Sequence, residues 1–357
     1  MKQIAIYTSD HGFGHAVRAI FLATALIERN IHCHMVCDRP SWLFERLPAG
    51  AFTLHPRQVD TGLVQQDWLH LDIPATLERF RTRFAAPENL IQEEVDFLRT
   101  IRASMVVAET APVALEIAAR AGVPGVIHAN FDWHWLYSTL SLQHPELTPL
   151  AQQARAWYQQ ADLVLRLPFY IGLEKTFESF TDIPLMIGRL DRSREEIRRA
   201  QDLPLDAPLL LWNFGGHAGE LPDFDRILHD LPDWHLVSYI EHPTASPRYH
   251  HLQPRFNTTE LFSVLDALIG KLGYCTCAEA GAFQVPFLFF ARQGYPEDAA
   301  LQRYTEQLVP SARLFPQDLH DSSWLHKFHA ITSQPRRPPP RADGAEQAAK
   351  LYLDLIA

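Results

Sequence analysis

Twice along this chain a short apolar stretch runs into a glycine turn and then into a helix-like segment, and no other feature constrains the fold as much. The first instance is "KQIAIYTSDHGFGHAVRAIFLATALIERN" at 2–30; the second is "APLLLWNFGGHAG" at 207–219. Around them, "IHCHMVCD", "AFTLH", "SMVVAE", "GVPGVIHAN" and "ADLVLRL" read as strands in the first half, with "APVALEIAARA" as a helix. In the second half "WHLVSYI", "DALIG" and "VPFLFF" read as strands between the helical "FDRILHDL", "TTELFSVL", "TCAEAGAFQ" and "PEDAALQRYTEQL". Strand and helix in alternation predict βαβ units and parallel sheets, and 357 residues suffice for two such domains. The expected boundaries are 1–186 for the first domain, 187–206 for a charged, proline-bearing hinge, 207–335 for the second domain, and 336–357 for a linker with a last amphipathic helix.

Composition removes several function classes. A formal charge of −10 argues against a nucleic-acid partner, since the one arginine cluster, "RRPPPR" at 336–341, lies in a proline-rich linker. No window approaches the roughly 18 unbroken apolar residues that span a bilayer. The first residues lack the apolar segment of a secretory signal, so the sequence predicts a cytoplasmic protein, peripheral to a membrane at most. Cys275 and Cys277 are spaced C-x-C, which suits neither a zinc knuckle nor a redox pair. His32 and His34 would share one face of a strand with no third ligand evident, so a structural role outweighs metal binding.

In open parallel sheets ligands bind at the carboxyl ends of the strands, so two facing domains would set both glycine turns on the walls of one cleft. Gly12 and Gly14 let the backbone approach a ligand, and the helix start behind them favours an anion. A dinucleotide fingerprint would want a third small residue where Val17 stands, although Asp38 is placed as a ribose carboxylate would be. His15 begins the helix, where the dipole disfavours its charged form, and this makes it the candidate base; His11 shapes the loop. In "IGKLGYCTCAEAGAFQVPFLFFARQGYPEDAALQRY" the turn holds Lys271 and Gly273, Thr276 can cap a helix, and Glu279 is expected on its first turn, facing the crevice. Arg292, Glu297 and Asp298 follow the next strand at the same edge. The aromatic "NFDWHWLY" at 130–137 reads as packing first and as an acceptor wall second.

"GFGHAVR" together with "GKLGYCTCAEAGAFQVPFLFF" resembles the GT-B glycosyltransferases, in the branch of the peptidoglycan-type N-acetylglucosaminyltransferases. The chain is more closely similar to the N-terminal glycosyltransferase-like domain of plant L-arabinokinases. That likeness runs through "DTGLVQQDWLHLD", "PVALEIAARAGVPGVIHANFDWHWLY", "IPLMIGRLDRSREEIRR" and "LLLWNFGGHAG". The kinase half of those proteins has no counterpart here, which takes sugar phosphorylation off the expected activities. The resemblance implies two Rossmann-like α/β domains facing a central cleft, with a C-terminal helix crossing back to the first. It implies a nucleotide-sugar donor, UDP-linked, held by the second domain, a small or lipid-like acceptor held by the first, and no bound metal. It assigns the donor ribose to Glu279, the diphosphate to Gly215 and Gly216, and the transferred sugar to Glu297 and Asp298. Two departures stand out: "GYPEDAALQ" replaces a glutamine-rich sugar-binding turn, and Glu109 stands where the arabinokinase domains it resembles have aspartate.

The expected chemistry is sugar transfer to a hydroxyl. His15 takes the acceptor proton, Glu109 or Asp132 orients its ring, and Lys271 or Arg292 stabilises the departing diphosphate with the glycine amides. Two other classes stay open on the residues alone: a sugar-nucleotide-binding or regulatory module without catalysis, and a nicotinamide-dependent oxidoreductase.

Overall fold

A computed structural model describes residues 1–67, 69–214, 223–253, 257–321 and 323–357. The described residues form two parallel sheets. The first contains β1 (Gln3–Thr8), β2 (His32–Val36), β3 (Phe52–His55), β4 (Met105–Glu109), β5 (Gly125–Ala129), β6 (Leu163–Arg166) and β7 (Thr181–Asp182), in the order β3-β2-β1-β4-β5-β6-β7. The second contains β8 (Leu209–Asn213), β9 (His235–Ser238), β10 (Tyr249–His251), β11 (Ala267–Lys271), β12 (Phe287–Phe290) and β13 (Ser311–Arg313), in the order β10-β9-β8-β11-β12-β13. The edge strands β7, β10 and β13 were not expected from the sequence, and the segment between the sheets carries a helix, Arg194–Ala200, rather than a bare hinge.

Each sheet reverses its strand order at its first strand. The chain steps outward from β1 to β2 and β3, then returns to lay β4 on the other side of β1. A sheet wound in this way opens a crevice at the carboxyl ends of the strands that flank the reversal. Glu109, the last residue of β4, is in register with Thr8, the last of β1, so both strands deliver their next residues there. The same reversal occurs at β8, where Asn213 is in register with Gly270. A Cβ on Gly270 would stand 2.1 Å from the Asn213 carbonyl oxygen, so only glycine fits.

The helix Gly14–Ile27 follows directly on the first turn, in which Gly12 has φ +72°, a left-handed conformation that glycine adopts at little cost. Its residues from His15 to Ala23 are all buried, because it is enclosed on every side. One apolar cluster joins Ile4 and Ile6 of β1, Phe21 and Leu22 of this helix, Leu209 and Phe287 of the second sheet, and Tyr352 near the C-terminus. The two domains thus share a core. The last helix, Gly344–Leu355, returns from the second domain to pack on Gly14–Ile27, as the resemblance implied. Its entry is fixed by the Gly344 N–H donating to the Leu185 carbonyl (3.0 Å), in a spot where a Cβ would lie 2.4 Å from the Pro184 oxygen.

Candidate active site

Glu109 is the hub of the first crevice. It has no solvent exposure, and its Oε1 lies 3.0 Å from His15 Nδ1 and 2.7 Å from Arg18 Nε. Its Oε2 is in contact with His128 Nε2. Burial works against the charge of Glu109, yet Arg18, His128 and His15 together hold the carboxyl well below the usual carboxylate range. Arg18 is likewise kept charged: burial opposes it, Glu109 more than compensates, and the guanidinium sits 4.6 Å over the Tyr274 ring of the second domain. A carboxylate can only accept, so Nδ1 of His15 carries a proton, and in the neutral ring Nε2 then has the lone pair. No described residue hydrogen-bonds that Nε2, and the ring lines a cavity of about 460 Å³ between the domains.

The opposite wall of this cavity belongs to the second domain. Lys271, Thr276, Arg292 and Glu297 line it, with Asn213 at the end of β8. Arg292 donates through Nε to Asp298 (2.9 Å) and through Nη2 to Glu297 (3.0 Å). The walls are joined by Asn130, which accepts from Arg18 Nη1 (3.1 Å) and donates to Glu297 Oε1 (2.8 Å). A second bridge runs from the Leu63 carbonyl to His11 Nδ1 (2.9 Å) and from His11 Nε2 to the Tyr295 hydroxyl (2.9 Å). Gly62 is required beside it, since a Cβ there would come within 2.7 Å of His11 Cβ. Lys271 has no hydrogen-bond partner among the described residues. Desolvation, reinforced by nearby Arg292, pulls its ammonium down to about 7.

The structure therefore brings His15, Glu109, Gly12, Gly14, Lys271, Thr276, Arg292, Glu297 and Asp298 to one interdomain region, and it corrects two expectations. Asp132 does not orient the His15 ring. It caps the helix Trp133–Leu140, accepting from the Trp135 N–H at 2.7 Å, and burial pushes its carboxyl up to about 7. Glu279 is the sixth residue of the helix Tyr274–Phe283, a turn deeper than expected, and it does not line the cavity. It is 2% exposed, and its Oε1 accepts from the hydroxyls of Thr258 and Thr259, each at 2.9 Å. Gly215 and Gly216 lie outside the described residues.

Arg18, Asn130, His128 and Tyr295 were missed. An arginine inside the apolar "HAVRAIF" and a histidine inside the apolar "GVIHA" were visible signals, because a polar residue in a buried run needs a partner. The histidine run also resolves: His34 Nδ1 lies 3.0 Å from His55 Nε2, and among the described residues no group of three or more His, Cys, Asp or Glu is disposed to hold a metal.

No family model matches the sequence. The chain is 28% identical over 326 residues to an L-arabinokinase of Arabidopsis thaliana, covering 90% of this chain and 31% of that protein. It thus spans about a third of the length of that relative. Among solved structures, the calicheamicin glycosyltransferase CalG4 superposes with a TM-score of 0.62 at 18% identity, over 99% of this chain and 94% of that one. The fold is GT-B. A UDP-glucosyltransferase from Polygonum tinctorium superposes with a TM-score of 0.61 at 14% identity, covering 99% and 93%. MurG of Acinetobacter baumannii gives 0.52 at 14% identity, covering 99% and 100%. Across this range of GT-B structures the shared property is architecture, two parallel-sheet domains flanking a cleft. No described helix of the present chain is long and apolar enough to cross a membrane.

Proposed function

We propose that this GT-B chain is a metal-independent glycosyltransferase that moves a hexose or pentose from a nucleotide diphosphate sugar, UDP-linked, to the hydroxyl of a small or lipid-like acceptor. In this reading residues 1–186 receive the acceptor and residues 207–335 the donor. The bond from the anomeric carbon to the diphosphate breaks, the acceptor oxygen forms the new bond to that carbon, and the acceptor proton passes to His15 Nε2. Arg292, held charged by Asp298 and Glu297, and Lys271 in its protonated form meet the departing nucleoside diphosphate, where positive charge stabilises what develops as the bond breaks. Gly12 and Gly14 leave the backbone bare on the facing turn.

The observation that carries this reading is the 3.0 Å contact between His15 Nδ1 and Glu109, whose carboxyl Arg18 and two histidines hold low, with Nε2 free of described partners in a cavity whose far wall bears Lys271. A general base supplies about 10²–10⁴ in rate, so His15→Ala should lower turnover by that factor and leave the affinity for UDP within twofold. A thermal-shift titration with UDP and UDP-sugars identifies the donor, because ligand at ~100 times its dissociation constant stabilises the native state by about 2.7 kcal/mol. Full turnover in His15→Ala would remove the base, and the absence of any nucleoside diphosphate shift would remove the donor.

A further inference from the structure

The C-terminal helix reaches Glu109, the residue that orients His15, from behind. The Tyr352 hydroxyl lies 3.0 Å from His128 Nδ1, His128 Nε2 contacts Glu109 Oε2, and Glu109 Oε1 lies 3.0 Å from His15 Nδ1. Tyr352, His128 and Glu109 all have zero exposure. The sheet sets the middle of this chain of contacts, because Glu109 and His128 are register neighbours on β4 and β5.

Proton bookkeeping gives the series a direction. Glu109 stays ionised and accepts only, so the nitrogens that face it, His128 Nε2 and His15 Nδ1, carry hydrogens. A neutral His128 then has only a lone pair at Nδ1, and the Tyr352 hydroxyl donates to it. Arg18 serves Oε1 alone, which leaves His128 Nε2, in contact with Oε2 but outside hydrogen-bond geometry, as the one described group that can donate to Oε2 once the ring turns toward it.

We propose that Tyr352 and His128 are positioning residues for His15. The hydroxyl of the last helix fixes His128 as the Nε2–H tautomer, His128 pins Oε2 of Glu109, and Glu109 thereby keeps His15 as the Nδ1–H tautomer whose Nε2 can take a proton. Without the hydroxyl, His128 can place its hydrogen on Nδ1 and turn a lone pair toward Oε2, and the carboxylate moves away from His15. The value of the arrangement for catalysis rests on the reading of His15 as the base. The other groups facing the two rings and the carboxylate are Arg18 from the first helix, Thr110 after β4 (3.3 Å from His15 Nδ1), Asp60, His11 and, beneath Arg18, Tyr274. None of them touches Oε2.

The test is ¹⁵N spectroscopy of the histidine rings in the whole, unliganded chain, with signals assigned by their loss in His15→Ala and His128→Gln. Wild type is expected to show His128 as Nε2–H and His15 as Nδ1–H. In Tyr352→Phe, which keeps the ring and its packing, both should become tautomer mixtures. Turnover of the donor identified by the UDP-sugar titration should fall about tenfold with KM within twofold, the size of one lost hydrogen bond. That loss should vanish in the His15→Ala background, because two residues acting through one group are not additive. His128 found as Nδ1–H in wild type overturns the proposal without any variant, as does an unchanged His15 tautomer in Tyr352→Phe. A tautomer change in Tyr352→Phe combined with full turnover in His15→Ala would instead retain the positioning chain and reject the base.

Discussion

Glu109 and Glu279 are the same residue type, one in each domain, and both are buried. Their carboxyls nevertheless titrate in opposite directions. Burial raises both, and the partners decide the outcome: Glu109 is held well down by Arg18 and two histidines, whereas Glu279, served by two threonine hydroxyls and a more distant Arg46, is pushed up to about 7. Each crevice has its own electrical character as a result. In the first, Glu109 is answered by Arg18 and two histidines, and its output is the orientation of one imidazole. The second contains a glutamate whose acidity burial weakens and a lysine, Lys271, with no hydrogen-bond partner among the described residues, so its charge state is the more easily changed.

The widest consequence of the contrast is at Glu109. Breaking a buried pair by removing one member is far more costly than the pair is worth, because the other charge is stranded. Glu109→Gln leaves Arg18 buried against Asn130 and the Tyr274 ring without an anion. It should lower unfolding stability in urea by about 3–5 kcal/mol and turnover by about 10²–10⁴, the latter because the imidazole loses its orienting group. A variant with wild-type stability would show that Glu109 is not the anion that answers Arg18.

Lys271 should behave in the opposite manner. A partly buried ammonium that desolvation disfavours and that forms no ion pair among the described residues destabilises the empty protein, so Lys271→Met should melt at or above the wild-type temperature. Its affinity for UDP should fall about 10–100-fold, the worth of one charge-assisted contact to phosphate. Unchanged UDP affinity measured by calorimetry would take Lys271 out of the anion site and erase the functional half of the comparison.

How far these two crevices could be read from the sequence follows from how local their determinants are. The glycine turns, the helix behind Gly14 and His15 at its start occupy a few consecutive residues, and so do Lys271 to Thr276 after β11. The partners do not. Glu109 meets Arg18 from 91 positions away, and Asn130 meets Glu297 from 167, so spacing along one chain carries no sign of either pairing. Glu109 was within view as an orienter of His15, but Asp132 looked equivalent until the fold committed it to capping a helix. Edge strands of two or three residues such as β7 and β13 are too short for any periodicity to register. The depth of Glu279 was misjudged because Gly273 rather than Thr276 precedes the helix, which puts the carboxylate three residues further along it.

The subtlest difference is one of pH, and Glu279 is where it can be measured. An acid whose native pKa is raised binds its proton more tightly folded than unfolded, so stability is greatest when both forms are protonated and declines as pH rises toward the native value. For Glu279, going from an ordinary 4.5 to about 7, the decline lies between roughly pH 4.5 and 7 and amounts to about 1 kcal/mol between pH 6 and pH 7. Glu109 does the reverse, contributing stability above the ordinary glutamate range that is lost as acid titrates it. Asp10 and Asp132, each pushed up to about 7 mainly by burial, add slopes of the same sign as Glu279, so the comparison must be made variant against wild type. Glu279→Gln retains an oxygen that accepts from Thr258 and Thr259 and has no proton to lose, so its chemical-unfolding free energy should vary less between pH 6 and pH 7 than that of wild type. Equal slopes would mean that Glu279 is ionised in the native state as Glu109 is, and the two crevices would then differ in shape alone.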